Sequence, residues 1–219
     1  MRRRTLDVVF SAGGLGLAAL LLVLGLVMTS NANFAKTYVK DQLSQQQITF
    51  KAAAALTDEE KASACLVRYA GLPLTTGKQA ECYANDFIGL HLKAIAGGQT
   101  YATLGAPQSA LTAKVAAAVT ANDPTLPDLQ KQLAAVSGQR TTLFQGETLR
   151  GLLLTSFGFS VFGVKGQQVA TVAYLVAALL ALLSVAGFVH ALRTPKDRTV
   201  AAPDHGLPNA DGRPLVTQS

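Results

Sequence analysis

Two cysteines, three histidines and one pair of charges beside a run of phenylalanines are the residues here whose types and spacing could do chemistry. Cys65 and Cys82 are the only thiols, and a disulfide, a metal pair or free thiols are open to them. Metal is disfavoured, because two thiols with His91 do not complete a tetrahedral zinc site without a fourth protein ligand. The other imidazoles, His190 and His205, lie at the end of an apolar block and in the C-terminal tail, so no two histidines share a segment. Standing between Leu90 and Leu92 on an expected helix, His91 reads as a structural histidine rather than a general base. Gly13-Gly14-Leu15-Gly16 imitates a phosphate loop but lies inside an apolar run, with no strand before it and no Lys-Ser or Lys-Thr after it. Glu147 and Arg150, three apart on an expected helix, open the uncharged segment 151–164 that carries Phe157, Phe159 and Phe162. An ion pair or interfacial anchor is the plain reading of that pair, and a contact with a partner is the other. Neither a nucleophile with its base nor a paired-carboxylate site is legible. No cofactor, no metal and no catalysis are expected.

The elements that carry these residues are set by two blocks without Asp, Glu, Lys or Arg, Val8 to Met28 and Val169 to Leu192. As helices they extend roughly 31 Å and roughly 36 Å, against a hydrocarbon core of about 30 Å. They also account for a composition that is 49% hydrophobic with a mean hydropathy of +0.29. Arg2, Arg3 and Arg4 precede the first block, and Arg193, Lys196 and Arg198 follow the second. Basic residues at both outer flanks place both termini in the cytoplasm of an inner (plasma) membrane protein and the middle outside. Residues 30–168 carry 12 basic against 9 acidic side chains, so half of the net charge of +6 is terminal and clustered beside the two blocks. It is a topology signal, and a nucleic-acid partner is not expected. The outside location is oxidising, which favours the Cys65–Cys82 disulfide; closing a loop of about 18 residues restricts the unfolded chain by roughly 3 kcal/mol.

The expected organisation is a cytoplasmic basic segment 1–7, a transmembrane helix 8–29, an extracytoplasmic helical domain 30–168, a second transmembrane helix 169–192 and a disordered cytoplasmic tail 193–219. Ser30-Asn31-Ala32 resembles a signal-peptide cleavage site, but the charge-free block exceeds the usual 7 to 15 residues of a signal core, so an uncleaved anchor is favoured. Small-residue pairs Ala12/Gly16 and Gly14/Ala18, with the row Ala173, Ala177, Ala181, permit the two spans to pack. Within the outer domain, a helix is expected over 33–50. Thr57 and Glu60 make a capping box for a helix over 58–69, and Thr76 opens another that ends at Gly97-Gly98. Helices over 107–121 and 128–136 follow, with breakers at Asn122-Asp123-Pro124 and Leu126-Pro127. The fold class is all-α, two transmembrane helices flanking a helical bundle. Segment 151–164 is either the bundle's central helix or an interfacial helix leading into the second span.

The arrangement resembles a group of uncharacterised actinobacterial two-span membrane proteins. The likeness rests on the basic N-terminus, the Gly/Ala-rich first span, Glu147-Thr148-Leu149-Arg150-Gly151-Leu152-Leu153-Leu154, Gly158-Phe159, Phe162-Gly163 and the C-terminal span. Members of that group sometimes bear the label of aromatic ring-opening dioxygenase, but such chemistry needs several His and carboxylate ligands in one pocket, and His91 is alone in its compartment. The resemblance implies a bacterial envelope location and brings no functional residues. A non-enzymatic accessory or scaffold protein that touches the lipid bilayer and a membrane or envelope partner is the expected function. The alternative is a small-ligand or lipid sensor with a pocket among Phe87, Ile95, Phe157 and Phe159, signalling through a separate protein because the tail has no output domain.

Overall fold

The structure is a computed structural model that describes residues 3–195. Arg2, Lys196, Arg198 and all but the first residues of the expected disordered tail lie outside the described residues. Among the described residues every regular element is helical, and the only β pairing is an isolated bridge between Thr49 and Pro73. In chain order the helices are α1 (Arg3–Gln45), α2 (Asp58–Lys61), α3 (Ala64–Tyr69), α4 (Gly77–Cys82), α5 (Gly89–Ile95), α6 (Gly105–Ala121) and α7 (Leu126–Arg193). A 3-10 turn covers Ala53–Ala55, and a π-helical segment, Tyr83–Ile88, joins α4 to α5 without a break.

Several boundaries differ from expectation. The first apolar block and the helix expected over 33–50 are one 43-residue helix that stops at Gln45, where Gln47 turns to φ +53°. No Gly or Pro lies between Met28 and Gln45 to interrupt it. Likewise, the segments expected over 128–136, 151–164 and 169–192 fuse into the 68 residues of α7. Pro127 is accommodated because first-turn amides have no intrahelical acceptor to lose. The glycines inside α7 cost about 1 kcal/mol each as helix formers, but two of them are packing positions: a Cβ on Gly146 would meet Leu92, and one on Gly163 would meet Ala35. The helix expected over 58–69 splits in two, because Ser63 is extended and its hydroxyl caps α3 by accepting from the Leu66 amide.

Two compact units result, one of residues 29–167 and one of residues up to Met28 and from Gln168 onward. Stretches of α1 and α7 contribute to both. In the unit 29–167, Val39, Leu43, Phe50, Leu66, Leu74, Leu92, Leu143 and Leu153 form the core. Both capping boxes are made: Thr57 with Glu60, and Thr76 with Gln79. Cys65 and Cys82 are disulfide-bonded with Cα atoms 6.0 Å apart, tying α3 to α4. Asn122 caps α6 in the left-handed conformation, and the Asp123 carboxylate accepts from the Thr125 amide and hydroxyl at the turn into α7. The Thr125 amide, then its hydroxyl, hold the Asp123 carboxyl below its ordinary value.

The other unit pairs the start of α1 with the end of α7 in antiparallel register. A Cβ on Gly14 would fall on Ser184, one on Gly25 on the Tyr174 ring, and one on Gly187 on Ser11. Ser11, Ala18 and Gly25 on α1 and Ala173, Ala177, Ser184 and Ala191 on α7 are buried, while the outward faces carry exposed Leu, Val and Phe. The Gly14/Ala18 row and Ala173/Ala177 therefore meet the facing helix, whereas Ala12 and Gly16 are exposed. Along α1 the covered positions Ser11, Gly14, Ala18, Leu21, Gly25 and Met28 alternate spacings of three and four, the seam of left-handed helix packing. Both helices are long and apolar enough to cross a membrane.

Candidate functional site

The densest ionisable cluster of the unit 29–167 surrounds Glu60, whose burial is complete at 0% exposure. Thr57 ends the preceding extended segment and starts α2, so Glu60 stands at the third helical position and its Oε2 accepts from the Thr57 amide at 2.8 Å. Lys51, next to the core residue Phe50, donates from Nζ to Glu60 Oε1 at 2.7 Å. From α5, His91 Nε2 approaches the same oxygen at 3.5 Å. The Lys51 hydrogen bond holds the Glu60 carboxyl below its ordinary value of 4.5 in spite of desolvation, and the Thr57 amide and the charges of Lys51 and His91 act in the same direction. Aromatic rings wall the cluster: Phe87 lies 4.5 Å from His91 and 4.7 Å from Tyr83 between centroids, with Lys51 Nζ 5.2 Å from the Phe87 ring. Burial raises the Tyr83 phenol above its ordinary value.

What this cluster can do follows from the His91 ring. Its Nδ1 is 2.7 Å from the Phe87 carbonyl oxygen, which only accepts, so Nδ1 carries a proton. The other nitrogen is the one that faces Glu60. That nitrogen, 3.5 Å from Glu60 Oε1, donates to the carboxylate only when the ring is protonated. The arrangement is a buried ionic clasp between the Lys51 segment, α2 and α5. The capping-box pattern gives Glu60's reach to Thr57, but no local signal in the sequence points to Lys51 or His91 as its partners.

Beside the disulfide, Ser63 donates to Asp86 Oδ2 at 2.9 Å, and Cys65 Sγ lies 2.8 Å from the same oxygen. A disulfide sulfur has no proton to donate, so the second distance is a contact. Cys65, Cys82 and Asp86 are close enough to surround an ion, but sulfurs bonded to each other offer no thiolate to it.

The expected interface residues divide between inward and outward positions. Glu147 and Arg150 do pair, at 3.1 Å. Arg150 also donates to Asn85 of the π segment at 3.1 Å, and its Nε is buried without a partner. Phe157 lies under Lys78, 4.9 Å from Nζ to ring centre, near the close approach of Gly77 to Ser160. Phe159 meets Tyr38 edge-on at 5.8 Å, Tyr38 stacks with Phe34 at 5.7 Å, and Phe162 is 77% exposed. Segment 151–164 is thus two-sided, with Leu153 in the core and Leu152 and Phe162 outward. Phe144 and Leu152 are not singled out from the sequence, and Phe34 and Tyr38 are legible there only as part of the apolar stripe of the helix expected over 33–50; all four are exposed. A signal for them exists in the spacing of 144, 148, 152, 155, 159 and 162, a second helical stripe of Phe, Leu and Thr. Phe87, Ile95, Phe157 and Phe159 stand in different surroundings: Phe87 packs with Tyr83 and His91, Ile95 is exposed, Phe157 is under Lys78, and Phe159 is on Tyr38. Comparison with protein-family models, with curated proteins and with solved structures gives no match.

Proposed function

We propose that this chain is a non-enzymatic, two-span protein of a bacterial inner membrane, with both termini cytoplasmic, and that its outer helical bundle docks on another envelope protein. The carrying observation is the exposed stripe of Phe144, Leu152, Phe159 and Phe162 on α7, extended by Tyr38 and Phe34 of α1. Exposed aromatic clusters of this kind are where protein interfaces concentrate their binding energy. Supporting the membrane reading, the paired apolar helices bury Ser, Gly and Ala and expose Leu, Val and Phe, the reverse of a water-soluble helix pair. Arginines at the outer flanks support the orientation, and the likeness to the actinobacterial group supports the location.

The test is a photo-crosslinking amino acid at Phe162 in native membranes, with the same group at Phe157 as control, followed by mass spectrometry. One partner captured reproducibly at 162 and not at 157 supports the proposal. Capture of lipid alone at 162 would remove the docking role and leave the stripe as a membrane-facing surface.

A further inference from the structure

We propose that the crevice between the starting stretch of α1 and the final stretch of α7 binds a membrane lipid with a primary-amine headgroup, of the phosphatidylethanolamine kind. The inference rests on these two stretches crossing a bilayer and is independent of any partner on the outer bundle. The crevice encloses about 250 Å³, with Phe10, Leu180 and Leu183 as apolar walls and Asp7, Ser11 and Ser184 as polar ones. Ser11 and Ser184 are 5% and 4% exposed. Each projects at a glycine of the facing helix, Ser11 at Gly187 and Ser184 at Gly14, where any Cβ would occupy the place of the hydroxyl. Among the described residues neither hydroxyl has a hydrogen-bond partner, whereas Thr155 and Ser156 of α7 donate back to carbonyls four residues earlier. An unpartnered hydroxyl at an apolar site is costly, and the cost is relieved by a polar group of whatever fills the space.

Asp7 identifies the headgroup. Its Oδ2 lies 3.0 Å from His190 Nδ1, so that oxygen is held by the imidazole and the carboxylate's other oxygen remains to accept from a cationic donor. An ammonium there makes a charge-assisted hydrogen bond, stronger than a neutral one. Arg3 and Arg4 lie within one turn before Asp7 and Arg193 within one turn after His190, on the side of Asp7 away from the apolar blocks. One turn deeper, the Ser11 and Ser184 hydroxyls are donors for the ester carbonyls, and Phe10, Leu180 and Leu183 offer an acyl chain its contacts. Carboxylate, hydroxyl and apolar wall thus follow one another into the span in the order of amine, ester and chain.

The experiment mixes the full chain in detergent with equal amounts of phosphatidylethanolamine, phosphatidylcholine and phosphatidylglycerol of one acyl composition, and reads bound lipid by native mass spectrometry. The expected result is a preference for phosphatidylethanolamine over both others of about tenfold, the factor that one charge-assisted hydrogen bond supplies. Asp7→Asn should bring the preference close to unity, and Ser11→Ala with Ser184→Ala should lower retention of the lipid, both with the Cys65–Cys82 bond and helix content intact. Equal retention of the three lipids, a preference for either competitor, or a preference unchanged in Asp7→Asn overturns the proposal. An alkaline wash of reconstituted vesicles separates the failures: release of the protein overturns the two-span reading together with this site, while retention without headgroup preference overturns the site alone.

Discussion

Replacing Lys51 by Met removes the hydrogen bond and charge that offset the burial of Glu60 while keeping an apolar stem over Phe87. Glu60 cannot turn to water, since its side chain is 1% exposed. Breaking one partner from a buried ion pair costs about 3–5 kcal/mol. Lys51 is 36% exposed, the Thr57 amide still donates, and His91 is still near, so water and the remaining partners reduce the loss to about 2 kcal/mol. The pH dependence makes the reasoning specific. In the native protein Glu60 titrates below 4.5, so its contribution is fully present above that value and is lost as pH falls through the lower folded value. In Lys51→Met the hydrogen bond and charge that lower it most are gone and desolvation is opposed only by the Thr57 amide and His91, so the folded value rises and acidification through it relieves the buried charge. The penalty should therefore be greatest near neutrality and shrink as the medium is acidified. Thermal or denaturant unfolding of both proteins in the same detergent at about pH 7 and about pH 4.5, followed by Tyr fluorescence, measures it. A penalty below about 0.5 kcal/mol at neutral pH, the range of an ordinary surface substitution, or one that does not change with pH, would refute the idea that Lys51 is what keeps Glu60 charged.

Three further outcomes are expected. Cys65→Ser with Cys82→Ser should lower the stability of the outer bundle by about 3 kcal/mol, read by denaturant unfolding, with no faster-migrating oxidised form of the native protein on a non-reducing gel. Gly25→Val, which sets a branched side chain on the Tyr174 ring, should cost about 1–3 kcal/mol by overpacking, whereas Gly13→Ala, with open space around it, should be neutral or slightly stabilising; thermal melts in detergent rank the two. Gly146→Leu should collide with Leu92 and lower the melting temperature, while Phe162→Ala, on the exposed side of the same helix, should leave it nearly unchanged.

Local chemistry makes part of this protein legible from the order of its residues alone. Two charge-free blocks long enough to cross a bilayer, the Thr57/Glu60 box, the start at Thr76 and the glycine stop at residues 97 and 98 all depend on interactions within a few residues, and the helices show each of them. The expected compartment favours the Cys65–Cys82 pairing, and the bond is present. Helix continuity is misread because the glycines between 136 and 169 look like boundaries when propensity is considered alone. In the fold, Gly146 and Gly163 are close-approach positions on a helix supported by its neighbours, so packing overrides the local cost. The Glu60 clasp joins residues 9 and 31 positions from Glu60, and the Ser11–Gly187 and Gly14–Ser184 contacts join opposite ends of the chain. Composition along the chain determined which segments are apolar and where the helices capped by Thr57 and Thr76 begin; only the tertiary structure decided which small residues touch, which carboxylate is buried, and which side of 151–164 is left exposed. Those outcomes depend on what the facing helix presents, and a one-dimensional pattern does not contain it.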